Sequence, residues 1–315
     1  MRALVYDGTL HLDATVPAPE RQADQSLLKI RRAGICNTDL ELIAGMYGFS
    51  GTLGHEFVAE VIAGAPEWIG RRVCGEINIG CGQCDFCQKG IASQCRNRQA
   101  IGIHGHPGAF ADQLALISTN LHAVPDSVSD DAAVFTEPLA AALQTLESIH
   151  VSPHDCVIVV GVGKLGALVA QVLKLTGAEV IGLVRREKQA KLLENWGIAH
   201  AERADLQPQR AQIVVDCTGT AEGFAIALDL VESRGTILLK STYNGLPQAD
   251  LTQVAVREIR VVGSRCGPFP AALRLLENEL VDVESLIDAR YPFDHALDAF
   301  NHAAQPGMMK VLLDF

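Results

Sequence analysis

Apolar positions in the first 150 residues come in short runs broken by glycine, among them Leu27-Leu28-Lys29-Ile30, Phe57-Val58-Ala59-Glu60-Val61-Ile62 and Arg72-Val73-Cys74. Runs of this kind, bounded by turn residues, predict short strands in an antiparallel, barrel-like domain. Near residue 130 the period changes. Asp130-Asp131-Ala132-Ala133-Val134-Phe135 opens a helical stretch with acids in its first turn, where the helix dipole favours them. From about 151 strand and helix patterns alternate. Cys156-Val157-Ile158-Val159-Val160 is a continuous apolar run, as a strand buried on both faces requires. A helix is predicted over 164–176, a second strand over 179–184, and later strands at Ile213-Val214-Val215-Asp216 and Thr236-Ile237-Leu238-Leu239. Such alternation implies a parallel sheet. After about 284, Tyr291-Pro292-Phe293 and Val311-Leu312-Leu313 return to short strands that are expected to pack back on the first domain. The expected class is α/β, with residues 1–150 and 284–315 in an antiparallel domain and 151–283 in a doubly wound one.

Composition narrows the function classes. The chain has 315 residues, is 48% hydrophobic and 20% charged, and so can bury two sizeable cores. Its net charge of -11 argues against a nucleic-acid partner. No apolar run approaches the ~18 residues of a membrane span. The opening run Met1-Arg2-Ala3-Leu4-Val5-Tyr6 reads as a strand rather than a signal peptide, and a reducing, cytoplasmic location is expected.

Four of the nine cysteines fall in one short loop: Cys81, Cys84, Cys87 and Cys95, spaced C-x2-C-x2-C-x7-C. Four thiolates on one loop suit tetrahedral Zn²⁺ in a closed, structural site. Disulfides would need an oxidising compartment, and the spacing departs from the ferredoxin cluster run that ends in Cys-Pro. The other cysteines, Cys36, Cys74, Cys156, Cys217 and Cys266, are scattered.

Gly161-Val162-Gly163-Lys164-Leu165-Gly166 follows the first buried strand and opens a helix. In that context the glycines form a dinucleotide fingerprint: tight turn, close approach of the pyrophosphate, close helix–strand packing. The helix N-terminus offers N–H groups and a positive dipole to the phosphates. Where an NAD site would carry an acid at the end of the second strand, this chain has Val184, followed by Arg185 and Arg186. Two arginines suit a 2′-phosphate, so NADP is expected in preference to NAD.

Three further segments carry ligand chemistry: Gly34-Ile35-Cys36-Asn37-Thr38-Asp39, Gly54-His55-Glu56 and Thr136-Glu137-Pro138-Leu139. Together with the cysteine loop and the glycine fingerprint, and in this order along nearly the whole chain, they resemble the zinc-dependent medium-chain dehydrogenase/reductase superfamily. Glu137-Pro138-Leu139 and the paired arginines are similar to its polyol, threonine and glucose dehydrogenase branches. The resemblance implies a GroES-like catalytic domain beside a Rossmann domain. It also implies a catalytic zinc held by Cys36 and His55, with Glu56 and Glu137 as carboxylate ligands. Thr38 would pass the substrate proton outward, although its hydroxyl could equally cap a helix beginning at Asp39. Thr218, in Cys217-Thr218-Gly219, would skirt the cofactor. Ser264 and Arg265 would approach its nicotinamide side or its phosphates. A homodimer or homotetramer is implied as well.

The chain departs from this pattern in places. Glu41 stands where many relatives carry a histidine as outer member of the proton relay; a carboxylate can serve there with altered pH dependence, or it is a surface residue. Arg71 replaces an acid in Gly70-Arg71-Arg72-Val73. Against that family the chain is short around 44–54 and 98–110 and in its C-terminal region. His104 and His106, though they invite a metal reading, are left as loop residues. The expected activity is hydride transfer between a secondary alcohol, polyol or sugar-like molecule and a nicotinamide cofactor, with both a catalytic and a structural zinc. The alternatives are an aldehyde or ketone reductase of the same fold and a zinc-stabilised nucleotide-binding protein without turnover.

Overall fold

The computed structural model describes residues 1–243 and 248–315. It divides into two compact units, Met1–Glu137 with Phe269–Phe315, and Pro138–Pro268.

The main sheet of the first unit follows the order 121–123, 72–75, 56–63, 25–34, 310–314, 287–292, and 113–117 also pairs with 25–34. All its pairings are antiparallel except that between 287–292 and 310–314. Leu312, Leu313 and Asp314 pair with Gly34, Ala33 and Arg32, so the last strand lies beside the strand that leads into Cys36. The inward side chains form a core around Leu4, Leu28, Ile30, Phe57, Phe110 and Leu313. Burial of apolar area on this scale is the main force holding the unit together.

The second unit is built on a six-stranded parallel sheet in the order 199–201, 179–183, 156–160, 211–216, 231–239, 260–263. Every residue of the central strand Cys156–Val160 is buried, as its unbroken apolar run required. The strand order reverses beside this strand, which is where ligands of doubly wound sheets bind. Both expected architectures, antiparallel and doubly wound, are therefore present.

The unit boundaries differ from the expected 150/151 and 283/284. They fall at 137/138 and 268/269 because two helices belong on the other side. In the helix Thr136–Ser148, the Ala141 carbonyl and the Ser148 hydroxyl bond to Lys240 and Ser264. In the helix Phe269–Glu277, the Phe269 ring lies 5.4 Å from that of His122. Periodicity identifies a helix but not the sheet that it covers. No helix among the described residues is long and apolar enough to cross a membrane.

Candidate functional site

Cys36 ends the turn after the strand Gln25–Gly34 and is the N-cap of the helix Asn37–Ile43. The helix thus starts two residues before Asp39, and Thr38 lies in its first turn, not at its cap. Asp39 does the capping: its Oδ2 accepts from the Cys36 N–H at 2.8 Å. Its other oxygen accepts from the Gly54 N–H at 3.3 Å and faces His55 Nδ1 at 3.4 Å. Asp39 is wholly buried. One carboxylate therefore ties the cysteine turn to the turn that carries His55 and Glu56. Gly54 has φ 98°, and a Cβ there would meet the Phe110 ring at 2.6 Å, so only glycine fits the turn.

Cys36 Sγ, a ring nitrogen of His55 and a carboxylate oxygen of Glu56 lie within 4.8 Å of one another. His55 and Glu56 are buried. Burial opposes a charge on His55, but Asp39 and Cys36 outweigh it and hold the imidazole well above its ordinary pKa. The 3.4 Å separation of Nδ1 from Asp39 is longer than an ordinary hydrogen bond, and the ring has no closer partner on that side. A half-buried sulfur, a buried nitrogen and a buried carboxylate oxygen converging in one place suit a cation. This donor set fits zinc with an open fourth position, and an acid behind the histidine is the usual orienting partner.

Glu137 does not join this group; its charge acts on Lys310. Lys310, which the motif reading missed, is 3% exposed and ion-pairs with Glu56 Oε2. Burial opposes its charge, and Glu56 leads the groups that overcome it. Its ammonium also stands 5.6 Å from the Phe135 ring centre. A lone lysine inside Met309-Lys310-Val311-Leu312 was the available signal. Thr38 Oγ1 lies 3.7 Å from Cys36 Sγ. Glu41, half-buried, accepts from Asn37 Nδ2 at 2.8 Å; burial raises its carboxyl above the usual range, with the Asn37 bond opposing.

The sulfurs of Cys81, Cys84, Cys87 and Cys95 lie within 4.8 Å of one another. Backbone N–H groups point at them: Cys81 and Asn97 donate to Cys95 Sγ at 3.2 and 3.3 Å. The Arg96 N–H leads in lowering the Cys84 thiol to about 6. Arg96 closes the loop by pairing with Asp85 at 2.8 Å and covering the Phe86 ring. Four sulfurs with backbone donors form a closed shell with no position left for a substrate.

In the second unit the three glycines divide the labour. Gly161 has φ 90°, and a Cβ there would sit 2.9 Å from Thr218 Cγ2. A Cβ on Gly163, the N-cap of the helix Lys164–Lys174, would meet nothing within 4 Å, leaving room for a phosphate. A Cβ on Gly166 would lie 2.0 Å from the Gly161 carbonyl oxygen, so helix and turn could not close. Lys164 and Leu165 form the first turn above this gap. Gln189 fixes the next loop, donating to the Val162 carbonyl at 2.7 Å and accepting from the Arg185 N–H at 3.1 Å. Beyond Val184 opens a pocket of about 430 Å³ lined by Arg185, Arg186, Glu187, His200 and Glu202. Both arginines are exposed there, and Arg185 lies 3.9 Å from Glu222. Thr218 donates its hydroxyl to Asp216 at 2.7 Å. The Ser264 hydroxyl is bonded within the unit, to Lys240 and Ser148. Arg265 follows it, exposed.

Comparison with known proteins matches residues 22–126 to the alcohol dehydrogenase GroES-like domain and residues 165–278 to the zinc-binding dehydrogenase family. The chain is 30% identical to a sorbitol dehydrogenase of Halalkalibacterium halodurans, over 99% of each chain. It is 28% identical to a D-arabitol-phosphate dehydrogenase of Enterococcus avium, over 98% of this chain and 94% of that one. A zinc-binding dehydrogenase from Sinorhizobium meliloti, solved with NADP bound, superposes with a TM-score of 0.90 at 28% identity, covering 100% of this chain and 99% of its own.

Proposed function

This chain belongs to the zinc-dependent medium-chain dehydrogenase/reductase superfamily and is an oxidoreductase; on that premise we propose how its residues divide the work of moving hydride between an alcohol or polyol and a nicotinamide cofactor. The observation that carries the reading is the convergence of half-buried Cys36 with buried His55 and Glu56.

Zinc held there would supply Lewis acidity to an alcohol oxygen, and a bound nicotinamide would supply the hydride acceptor. Cys36 and His55 would hold the metal and Glu56 would offer it a carboxylate oxygen, with Oε2 ion-paired to Lys310. Glu137, lying outside the group, would reach the metal only after a shift. Asp39 orients the His55 ring. The Thr38 hydroxyl, beside Cys36, takes the alcohol proton, and Glu41 accepts it next, held in place by Asn37. Gly161, Gly163, Lys164, Leu165 and Gly166 bind the pyrophosphate. Arg185 and Arg186 take a 2′-phosphate in the pocket beyond Val184, which favours NADP over NAD. Thr218 and Arg265 flank the cofactor along the same edge, while Ser264 acts through its bonds to Lys240 and Ser148. Cys81, Cys84, Cys87 and Cys95 hold the structural zinc. The substrate is a small polyol or secondary alcohol, for which the sorbitol and arabitol-phosphate dehydrogenase relatives are the precedent.

The test joins metal content to an assay panel of alcohols, polyols, aldoses and aldehydes with each cofactor. Two zincs per chain and oxidation of a polyol or secondary alcohol are expected. One zinc per chain, resistant to mild chelation and with no turnover, would sink the catalytic reading in favour of a nucleotide-binding protein.

A further inference from the structure

One adenosine ribose carries both the 2′-phosphate of NADP and, on its 5′ oxygen, the pyrophosphate. The covalent structure of the ligand therefore fixes the spacing of the two anions. Two separate loops take them. The glycine turn at 161–163 follows the strand Cys156–Val160, and the arginine loop at 185–186 follows the strand Glu179–Leu183. The two strands pair in register as far as Val160 and Leu183. Beyond those residues their pairing no longer sets the distance between the loops. Arg185 and Arg186 are exposed, and long exposed side chains supply charge without a fixed address.

Gln189, in the first turn of the helix Glu187–Asn195, bridges the two loops. Its Nε2 donates to the Val162 carbonyl, inside the glycine turn, at 2.7 Å, and its Oε1 accepts from the Arg185 N–H at 3.1 Å. One partner can only accept and the other can only donate, so the bridge needs both halves of a carboxamide. A carboxylate lacks the donor, and an ammonium lacks the acceptor. Packing brings the same parts together. A Cβ on Gly182 would lie 2.3 Å from Leu193 Cδ1 and 3.0 Å from Val162 Cγ2, so the bare backbone at 182 lets helix and turn close over the strand. Val162 and Leu193 are wholly buried there.

We propose that Gln189 is a positioning residue that sets the spacing between the pyrophosphate turn and the 2′-phosphate loop. Its amide ties the Arg185 backbone to Val162, so the two anion sites match the span of one ribose before the cofactor arrives. Holding a loop in its bound geometry raises affinity by removing the cost of ordering it. A ligand with both phosphates gains from that spacing, and a ligand with one does not. Gln189 thereby contributes to the choice between NADP and NAD through Arg185, not as a ligand of the phosphate.

This role rests on the 2′-phosphate reading of Arg185 and Arg186 given above. Titration calorimetry on the zinc-loaded full chain tests it with 2′,5′-ADP, which carries both phosphates, with 2′-AMP and 5′-AMP, which carry one each, and with NADP⁺ and NAD⁺. Gln189→Met keeps the length and loses both bonds. It should raise Kd for 2′,5′-ADP and NADP⁺ by about tenfold, the scale of two net hydrogen bonds, and leave 2′-AMP, 5′-AMP and NAD⁺ within about twofold. Gln189→Asn keeps the amide but falls one methylene short of its partners, so it should act like the methionine variant. It decides the matter if that variant does not fold. On the Arg185→Ala, Arg186→Ala background, Gln189→Met should cost NADP⁺ nothing further, because both changes act through one subsite. If every ligand weakens alike, or none does, Gln189 is a helix brace only and the spacing role is overturned. A wild-type chain that binds 2′,5′-ADP no more tightly than 5′-AMP overturns the 2′-phosphate reading itself.

Discussion

Glu41 occupies an outer position in the proposed proton path, and burial raises its carboxyl above the ordinary carboxylate range. It must be ionised to accept a proton, so alcohol oxidation should fall as pH drops toward that raised value. Glu41→His should move the acidic limb of kcat/KM up toward the histidine range, about 6.5. A pH profile indifferent to the substitution would make Glu41 a surface residue after all. At the cofactor end, Arg185→Ala with Arg186→Ala should raise KM for NADP by on the order of 100-fold while NAD changes little, since two charge-assisted contacts are lost for the phosphate alone. Equal loss for both cofactors would refute the assignment. At this scale Cys36, His55 and Glu56 were legible only together, through the family resemblance that their segments carry, since each segment alone is unremarkable. Lys310 was not readable, because its ion-pair partner Glu56 lies far along the chain. Asp39 lay in view at the third helical position after Cys36, the place from which an acid reaches back to the cap.

Elements differ in how much of their role is written in their own sequence. The glycine turn is nearly self-contained: its spacing, read between a buried strand and a helix, predicted three jobs, and the three glycines meet, respectively, Thr218, open space and the Gly161 carbonyl. The cysteine loop is equally local and should be separable from the chemistry. Cys95→Ser should release one zinc per chain and lower Tm by roughly 5–10 °C, with the catalytic zinc retained, as metal counting beside a melting curve would reveal. Loss of both zincs together would show that the loop supports the catalytic site directly. The helices Thr136–Ser148 and Phe269–Glu277 carry the opposite lesson. Their periodicity was plain, but Lys240, Ser264 and His122, which fix their allegiance, lie far from them in sequence.

For the whole molecule, the outermost strand Arg260–Gly263 leaves one edge of the parallel sheet unpaired within the described chain, with Val261 41% exposed. An apolar, unprotected edge invites a second copy. Pairing of two copies along this edge is an expectation that light scattering checks: a wild-type dimer that Val261→Lys converts to a monomer would support it, and a wild-type monomer would dismiss it. The division into two architectures was legible because a buried parallel strand and a half-exposed antiparallel one have different hydrophobic rhythms. The junctions were not, for the reason given by the two helices. The Glu56–Lys310 pair joins residues 254 apart, whereas Cys81 and Cys95 lie only 14 apart. During synthesis the cysteine loop can capture its metal while the ribosome is still decoding the second unit. Glu56, by contrast, is buried and paired only once the strand Lys310–Asp314 has docked beside 25–34. The cysteine loop is therefore expected to bind its metal before the group of Cys36, His55 and Glu56 is complete, and metal counting during refolding would check that order.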